Sequence, residues 1–185
     1  PLVDEADVKN FRDRALSPER PVTRGTAENP ETFFTHREAC NAHYNAIPDV
    51  VEHYLGEISK ITGREYHNFS YYGAEDAENI IILMGSATEA AREAIDYLMG
   101  QGKKVGMVSV HLYRPFSITH LFAAVPKTVK KIAVLDRTKE PGAEGEPLYL
   151  DVKSAYYDQE NRPVIVGGRY GLGSSDITPA KIISV

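Results

Sequence analysis

The chain has 185 residues with a formal net charge of −5 and contains 42% hydrophobic and 25% charged residues, an ordinary globular composition that suits one compact domain with an ordered extension. Its longest apolar run, Ile80 to Met84, is far shorter than the about 20 residues of a membrane-spanning helix. No basic stripe interleaved with aromatic residues occurs, which counts against nucleic-acid binding.

Residues 1–75 are predicted to form a helical extension and connector. A short charged helix is expected between Leu2 and Leu16. The stretch SPERPVTRGTAENPE then offers three prolines and a glycine with few apolar groups, which is typical of an extended connector.

Two further helices are predicted before residue 75. Helical spacing begins at Phe33, after Asn29-Pro30, and begins again at Val50, beyond Pro48. Proline inside a helical pattern marks a break, and glycine commonly closes a helix. The two helices are therefore expected to separate near Pro48, and the second to end at Gly63.

Residues 76–185 have a different texture and are predicted to form an α/β domain. Short apolar runs alternate with helical stretches and with Gly or Pro breaks. Continuous apolar runs are typical of strands that helices cover on both faces, and parallel neighbours need such long connections. The pattern predicts a doubly wound, mostly parallel sheet with helices on both faces and strands at 79–85, 104–110, 131–136 and 163–168.

The turn after the first of these strands is a candidate anion site. Ser86 and Glu89 have the spacing of a capping box, and this structural interpretation is favoured. Together with Gly85 and Thr88, the free N–H groups of the turn could also hold an anion. The dinucleotide signature G-x-G-x-x-G is missing.

A glycine-rich stretch, GGRYGLGSS at 167–175, is the second weak anion candidate. Gly168, Gly171 and Gly173 would provide a flexible backbone that can cradle an anion. Serine stands at position 174, where a phosphate loop needs lysine. The favoured interpretation is that this loop displays Arg169 and Tyr170 for a domain contact.

Three polar residues fall at predicted strand ends: Ser86, His111 and Asp136. A hydrolase triad can be imagined from them, because ligands sit at the carboxyl ends of strands in open α/β sheets. The G-x-S-x-G elbow is absent, and structural roles are favoured: a helix cap, a strand end and a bond to a backbone amide.

Arg114, in the string RPF, is expected at the rim of the same crevice. A lone arginine there is better explained as an ion-pair partner at a domain interface than as a substrate clamp. Ser117 is placed to cap the following helix. The histidines show no metal-ligand spacing, so no metal site is predicted.

Cys40 is the only cysteine. It cannot form an internal disulfide, and alone it cannot hold an iron–sulfur cluster or a thiolate zinc site. This usage predicts a reducing, cytoplasmic compartment. The chain opens on Pro1 without a signal peptide, and we expect an excised or processed piece.

Four strings carry a resemblance to a known family: GSATEAAREAIDYL, GKKVGMVSVHLYRPFS, KKIAVLDRTKEPGAEGEPLYLDV and GGRYGLGSSDITPA. In combination they resemble pyruvate:ferredoxin (flavodoxin) oxidoreductase, and the connector RGTAENPETFF is similar to the family's chain just upstream. The likeness covers essentially the whole sequence. It implies a domain similar to the C-terminal domain of transketolase, preceded by the tail of a pyrimidine-binding domain.

The resemblance implies a parent enzyme that converts pyruvate and coenzyme A to acetyl-CoA and CO2 and passes electrons to ferredoxin or flavodoxin. Thiamine diphosphate, magnesium and iron–sulfur clusters are its implied cofactors. This chain lacks the G-D-G…N-N element that holds magnesium diphosphate, and no residue matches a catalytic position. The chemistry is therefore expected elsewhere in the parent.

We expect the chain to be an interface domain of such an enzyme. The connector at 20–34 and four side chains are the predicted contacts to other domains or to a second subunit: Arg24, Arg114, Arg169 and Tyr170. The alternative is a stand-alone anion- or nucleotide-binding module that uses Gly85 and Ser86 or the 167–175 loop. A hydrolase is the third hypothesis.

Overall fold

The structure is a computed structural model that describes residues 3–23, 25 and 27–185. Its packing divides the chain into two compact units, one ending at Cys40 and one running from Asn41 to Val185. The boundary between residues 75 and 76 stays a prediction.

The first unit contains two helices, α1 (Glu5–Asp13) and α2 (Pro30–Ala39). The second contains, in chain order, α3 (Asn41–Thr62), β1 (Phe69–Gly73), β2 (Asn79–Met84), α4 (Ala87–Gly100), β3 (Val105–Val110), α5 (Ile118–Ala124), β4 (Lys131–Asp136), α6 (Pro147–Ala155), β5 (Val164–Arg169), a 3-10 turn (Leu172–Ser174) and α7 (Pro179–Ile183).

In the first unit, the start of each helix follows from local chemistry. The side chain of Asp4 caps α1 by accepting from the backbone N–H of Asp7 at 2.8 Å. Pro30 occupies the first turn of α2, where its missing N–H costs nothing. Arg24, a predicted contact residue, lies outside the described residues.

The predicted break at Pro48 is wrong. The chain instead breaks at Cys40, and α3 runs through Pro48. Pro48 is buried, and its carbonyl accepts from Asn68 Nδ2 at 2.8 Å, so a tertiary contact supports this position within the helix. Gly63 closes α3 as predicted, with φ +71 and its N–H donating to the Ser59 carbonyl.

The sheet has five strands in the order β1-β3-β2-β4-β5. Strands β2, β3, β4 and β5 are parallel, whereas β1 pairs antiparallel with β3, from Phe69 opposite Val110 to Gly73 opposite Gly106. The predicted mostly parallel α/β fold is confirmed. The antiparallel edge strand β1 was not predicted.

Both faces of the sheet are covered, which explains why the strands are continuously apolar. Successive residues of β2 alternate between the two core clusters: Ile80 and Ile82 face one, and Ile81 and Leu83 face the other. The first cluster includes side chains of α5 and α6, and the second includes side chains of α4 and α7. In the second, α4 contributes alanines 87, 91 and 94, whose small side chains let the helix lie close to the sheet.

No helix in the described part of the chain has the length and apolar character needed to cross a membrane.

Candidate functional site

A crevice lies at the carboxyl edge of the parallel strands, with a volume of about 340 Å³. After β2 the chain leads through α4 to β3 on one side, and after β4 it leads through α6 to β5 on the other. Connections that diverge in this way leave space between adjacent strand ends, the usual ligand position in open α/β folds. The crevice is lined by Met84, Gly85, Ser86, Tyr113, Asp136, Arg137, Thr138, Pro147 and Tyr170.

Asp136, at the end of β4, is the buried acid of the crevice. Its Oδ1 accepts from the N–H of Leu148 at 3.0 Å, and its Oδ2 accepts from the N–H of Tyr149 at 3.1 Å. Burial raises the pKa of the Asp136 carboxyl, although the two backbone donors act in the opposite direction. The predicted structural role is therefore present: Asp136 caps the first turn of α6.

The predicted capping role of Ser86 is wrong. Ser86 precedes α4 with helical backbone angles, φ −64 and ψ −18, and its side chain makes no capping bond. A capping side chain needs an extended backbone to reach the first-turn amides. Instead, the Thr88 hydroxyl donates to the Gly85 carbonyl at 2.8 Å. Ser117 does cap α5, accepting from the N–H of His120.

Arg169, at the end of β5, makes an ion pair within the domain. Its Nε donates to Oε1 of Glu146, and Oε2 of the same carboxylate accepts from the N–H of Glu140 at 2.7 Å. Glu146 is buried, and burial alone would raise its pKa. The Arg169 and Glu140 donors outweigh that effect and hold the pKa of the Glu146 carboxyl below its ordinary 4.5.

Replacing Arg169 with glutamine is expected to give a pH-dependent loss of stability. The lowered pKa of Glu146 means that its ionised form stabilises the fold above its ordinary 4.5, and that this stabilisation disappears as the pH falls through the folded-state value. Urea unfolding across the acid range should show R169Q less stable than the unsubstituted chain at neutral pH. The difference in stability should shrink below pH 4.5. A pH-independent difference would contradict this role.

Arg114 is held at the crevice rim by an acid and an aromatic ring. Its Nη2 lies 2.7 Å from Oδ2 of Asp151, and its guanidinium carbon lies 3.9 Å from the ring centroid of Tyr113. The Tyr113 hydroxyl donates to the same Asp151 oxygen at 2.9 Å. Burial, and then this hydrogen bond, raise the pKa of Tyr113 to about 12. Arg114 is thus an ion-pair partner inside the described structure, and its contact to another domain stays a proposal.

Tyr170 closes one side of the crevice. Its hydroxyl donates to the Met84 carbonyl at 2.9 Å, which ties the end of β5 to the end of β2. Half-burial raises the pKa of this phenol. The Tyr170 side chain therefore makes a contact within the domain. Its predicted contact to another domain or subunit stays a prediction.

The glycine-rich candidates have separate positions. Gly168 lies inside β5 opposite Leu135. Gly171, with φ +61, presents its carbonyl to Nε of Arg137 at 3.2 Å, and Gly173 has φ +60 in the 3-10 turn. Of the first candidate group, Gly85 and Ser86 line the crevice, whereas Thr88 lines a different cavity. Anion binding at these residues stays a prediction.

The imagined hydrolase triad is not assembled. Ser86 and Asp136 share the crevice, but His111 lines the other cavity and bonds to the carbonyl of His67. Asp136 is already bonded to backbone amides of α6. Within residues 3–23, 25 and 27–185 no three His, Cys, Asp or Glu side chains are grouped to hold a metal.

Sequence reasoning missed the partners that fix the rim arginines. Glu146 is separated from Arg169 by 23 positions. Asp151 lies on α6, and the whole of α5 and β4 lies between it and Arg114 in the sequence. Arg137 was also missed, although it follows Asp136 directly. A polar residue just after a strand is the one signal that could have found it.

The fold and its crevice define a three-layer α/β domain of the doubly wound type. Residues 77–182 match the family model for pyruvate:ferredoxin oxidoreductase core domain II, and the chain belongs to this family.

Curated relatives match along the whole chain. A pyruvate-flavodoxin oxidoreductase of Enterobacter agglomerans is 59% identical over 184 residues, and a pyruvate:ferredoxin oxidoreductase of Moorella thermoacetica is 48% identical over 184 residues. The chain is covered completely in both matches but spans only 16% of the length of each relative.

A solved structure shows the same fold. The 2-oxoglutarate:ferredoxin oxidoreductase from Magnetococcus marinus, determined with 2-oxoglutarate, coenzyme A and succinyl-CoA bound, matches with a TM-score of 0.54 and 22% identity. The match covers 86% of this chain and 23% of that one.

Proposed function

We propose that this chain is an interface domain of a larger thiamine-diphosphate-dependent pyruvate:ferredoxin/flavodoxin oxidoreductase. The observation that carries the proposal is the full-length match to relatives of which the chain spans 16%. Most of such a protein surrounds a domain of this kind. Its task is then to present fixed surfaces to neighbouring domains or to a second subunit.

Exposed apolar side chains support an interface role. In the first unit, Phe33 and Phe34 of α2 are 54% and 72% exposed. In the second unit, Tyr54 and Ile61 of α3 are 61% and 71% exposed. Clusters of large exposed apolar groups are typical of surfaces that another protein part covers.

The rim arginines support the same role. Arg114 is positioned by Asp151 and by the ring of Tyr113, and Arg169 by Glu146. A cation that is already positioned loses little conformational entropy when it meets an acidic partner. We propose Arg114, Arg169 and Tyr170 as contacts to the rest of the parent.

The cofactors of the proposed parent do not fit this chain. A single cysteine cannot supply the thiolates of an iron–sulfur cluster, and the buried acid of the crevice is committed to α6. We therefore propose that thiamine diphosphate, magnesium, the clusters and coenzyme A bind elsewhere in the parent. A cytoplasmic location and electron transfer to ferredoxin or flavodoxin belong to the same proposal.

The isolated chain is expected to bind no thiamine diphosphate with magnesium in calorimetry and to show no pyruvate-dependent reduction of an electron acceptor. Grafted in place of the matching 184 residues of the Enterobacter agglomerans relative, the same chain should give an active enzyme. Activity of the isolated chain, or a soluble graft without activity, would contradict the proposal. Calorimetry with nucleotides and coenzyme A tests the alternative of a stand-alone binding module.

A further inference from the structure

A polar cavity of the second unit lies outside the crevice, beside the antiparallel edge of the sheet. Its volume is about 780 Å³, within the range of small-molecule sites. β1 and β3 form its floor, and the first turns of α4 form one wall. The lining residues are Arg64, Glu65, Tyr66, His67, Ser70, Tyr71, Tyr72, Thr88, Glu89, Arg92, Ser109 and His111.

The floor is polar where the rest of the same sheet face is apolar. Met107 belongs to the buried cluster beneath α4, and Ser109 follows it two positions later on the same face. Ser70 is the cross-strand partner of Ser109. Two hydroxyl groups therefore lie side by side on a sheet face that elsewhere packs against a helix.

Ser109 offers the cavity a hydroxyl that no protein group among the described residues occupies. It is only 7% exposed, yet its hydroxyl makes no hydrogen bond with the described residues. Ser109 Oγ is not one of the buried unpaired atoms of the described residues, where Asn68 Oδ1 is the one found, so this hydroxyl reaches the cavity and is free to bond there. A partner supplied from within the cavity would satisfy it.

His111 is oriented by the backbone beside these hydroxyls. Its Nδ1 lies 2.8 Å from the carbonyl oxygen of His67. A carbonyl can only accept, so Nδ1 carries the hydrogen. This leaves Nε2 without a hydrogen-bond partner among the described residues.

Two arginines give the cavity its cationic groups. The guanidinium carbon of Arg92 lies 4.3 Å from the ring centroid of Tyr72, a contact that fixes its position. Neither Arg92 nor Arg64 forms an ion pair within the described ranges. Glu65 and Glu89 also line the cavity, so the site suits a ligand with one anionic group and further hydrogen-bond donors rather than a polyanion.

We propose that this cavity binds a small organic molecule through a phosphate or carboxylate group, held by Arg92 and Arg64 and by the hydroxyls of Ser70 and Ser109. The hydroxyls donate to the oxyanion, and the guanidinium groups offset its charge. Glu65 and Glu89 accept from hydroxyl or amino groups of the ligand. The site is independent of the proposed interface role.

The test is a titration of the isotopically labelled 185-residue chain with inorganic phosphate and, separately, with acetate, followed by amide chemical shifts. Saturable shifts are expected at Ser70, Ser109 and Arg92 for at least one probe. R92Q should weaken binding by about 10-fold or more, and S109A by about 3-fold or more, because each removes a hydrogen bond to a charged group. The two probes distinguish a phosphate ligand from a carboxylate.

Two matched controls and one competing variant complete the test. R162Q removes an equal charge at an arginine that bonds to the Tyr157 carbonyl. S154A removes a hydroxyl from the exposed side of α6. Both variants should bind the probes as tightly as the unsubstituted chain does. No saturation at about 10 mM of either probe, ten times a 1 mM dissociation constant, would overturn the proposal. Equal weakening by R92Q and R162Q, or loss of binding through R137Q in the crevice instead, would overturn it as well.

Discussion

Replacing Asp136 with alanine is expected to destabilise the second unit by about 2–4 kcal/mol, because two amides of α6 lose the acceptors that the described residues give them. Both carboxylate oxygens accept from that helix, from Leu148 and from Tyr149. Leu148 is completely buried, and Asp136 is only 4% exposed, so water cannot easily take over these bonds. Urea unfolding followed by circular dichroism measures the loss.

A graded pair of variants separates capping from general disruption. D136N keeps one oxygen acceptor, so its stability should lie between those of the unsubstituted chain and D136A. D158A removes an exposed carboxylate that makes no hydrogen bond with the described residues. Its free energy of unfolding should stay within about 0.5 kcal/mol of that of the unsubstituted chain. Equal stability of D136A and the unsubstituted chain would show that Asp136 does not hold the start of α6.

Replacing Gly73 with alanine is expected to cost about 3 kcal/mol or more and to loosen β1 from the sheet. Gly73 has φ +139, a conformation that L side chains rarely adopt. An added Cβ would lie 2.4 Å from Cα of Gly106 and 2.6 Å from the carbonyl oxygen of Val105. These neighbours are backbone atoms of β3, so no side-chain movement can relieve the overlap.

Hydrogen exchange gives this prediction a local measurement. Amides of β1 and their partners on β3 should exchange faster in G73A, whereas those of β4 and β5 should change less. G100A is the matched control, because Gly100 ends α4 with open space around it and an unremarkable φ; it should be neutral or stabilising by about 1 kcal/mol. Unchanged exchange in β1 would contradict the assigned contact.

The parallel part of the sheet was predictable because its signal is local. Continuous apolar runs separated by helical stretches are typical of strands that are covered on both faces, and β2 and β4 begin at the predicted residues. The strand β1 gave no such signal. Its residues, FSYYG, mix a serine with aromatics, and they become a strand through pairing with β3, from Phe69 opposite Val110 to Gly73 opposite Gly106.

The helix break was mispredicted for the same reason. Pro48 is a local break signal, but α3 continues through it, and the buried proline carbonyl accepts from Asn68, 20 positions away. Sequence distance also hid the ion pairs of the rim. The location of Ser86 and Asp136 at the carboxyl edge was predictable from the strand ends, whereas the backbone angles that prevent Ser86 from capping were not.

The carboxylate of Asp136 has a consequence for how this fold could evolve. In many α/β proteins a ligand phosphate occupies the start of a helix at the strand ends, and here a covalently attached side chain fills the equivalent place at α6. An external phosphate would have to compete with the Asp136 carboxylate, which is attached to the same chain and therefore present at very high effective concentration. Replacing the residue at position 136 would therefore uncover two backbone N–H groups, those of Leu148 and Tyr149, that the carboxylate now occupies.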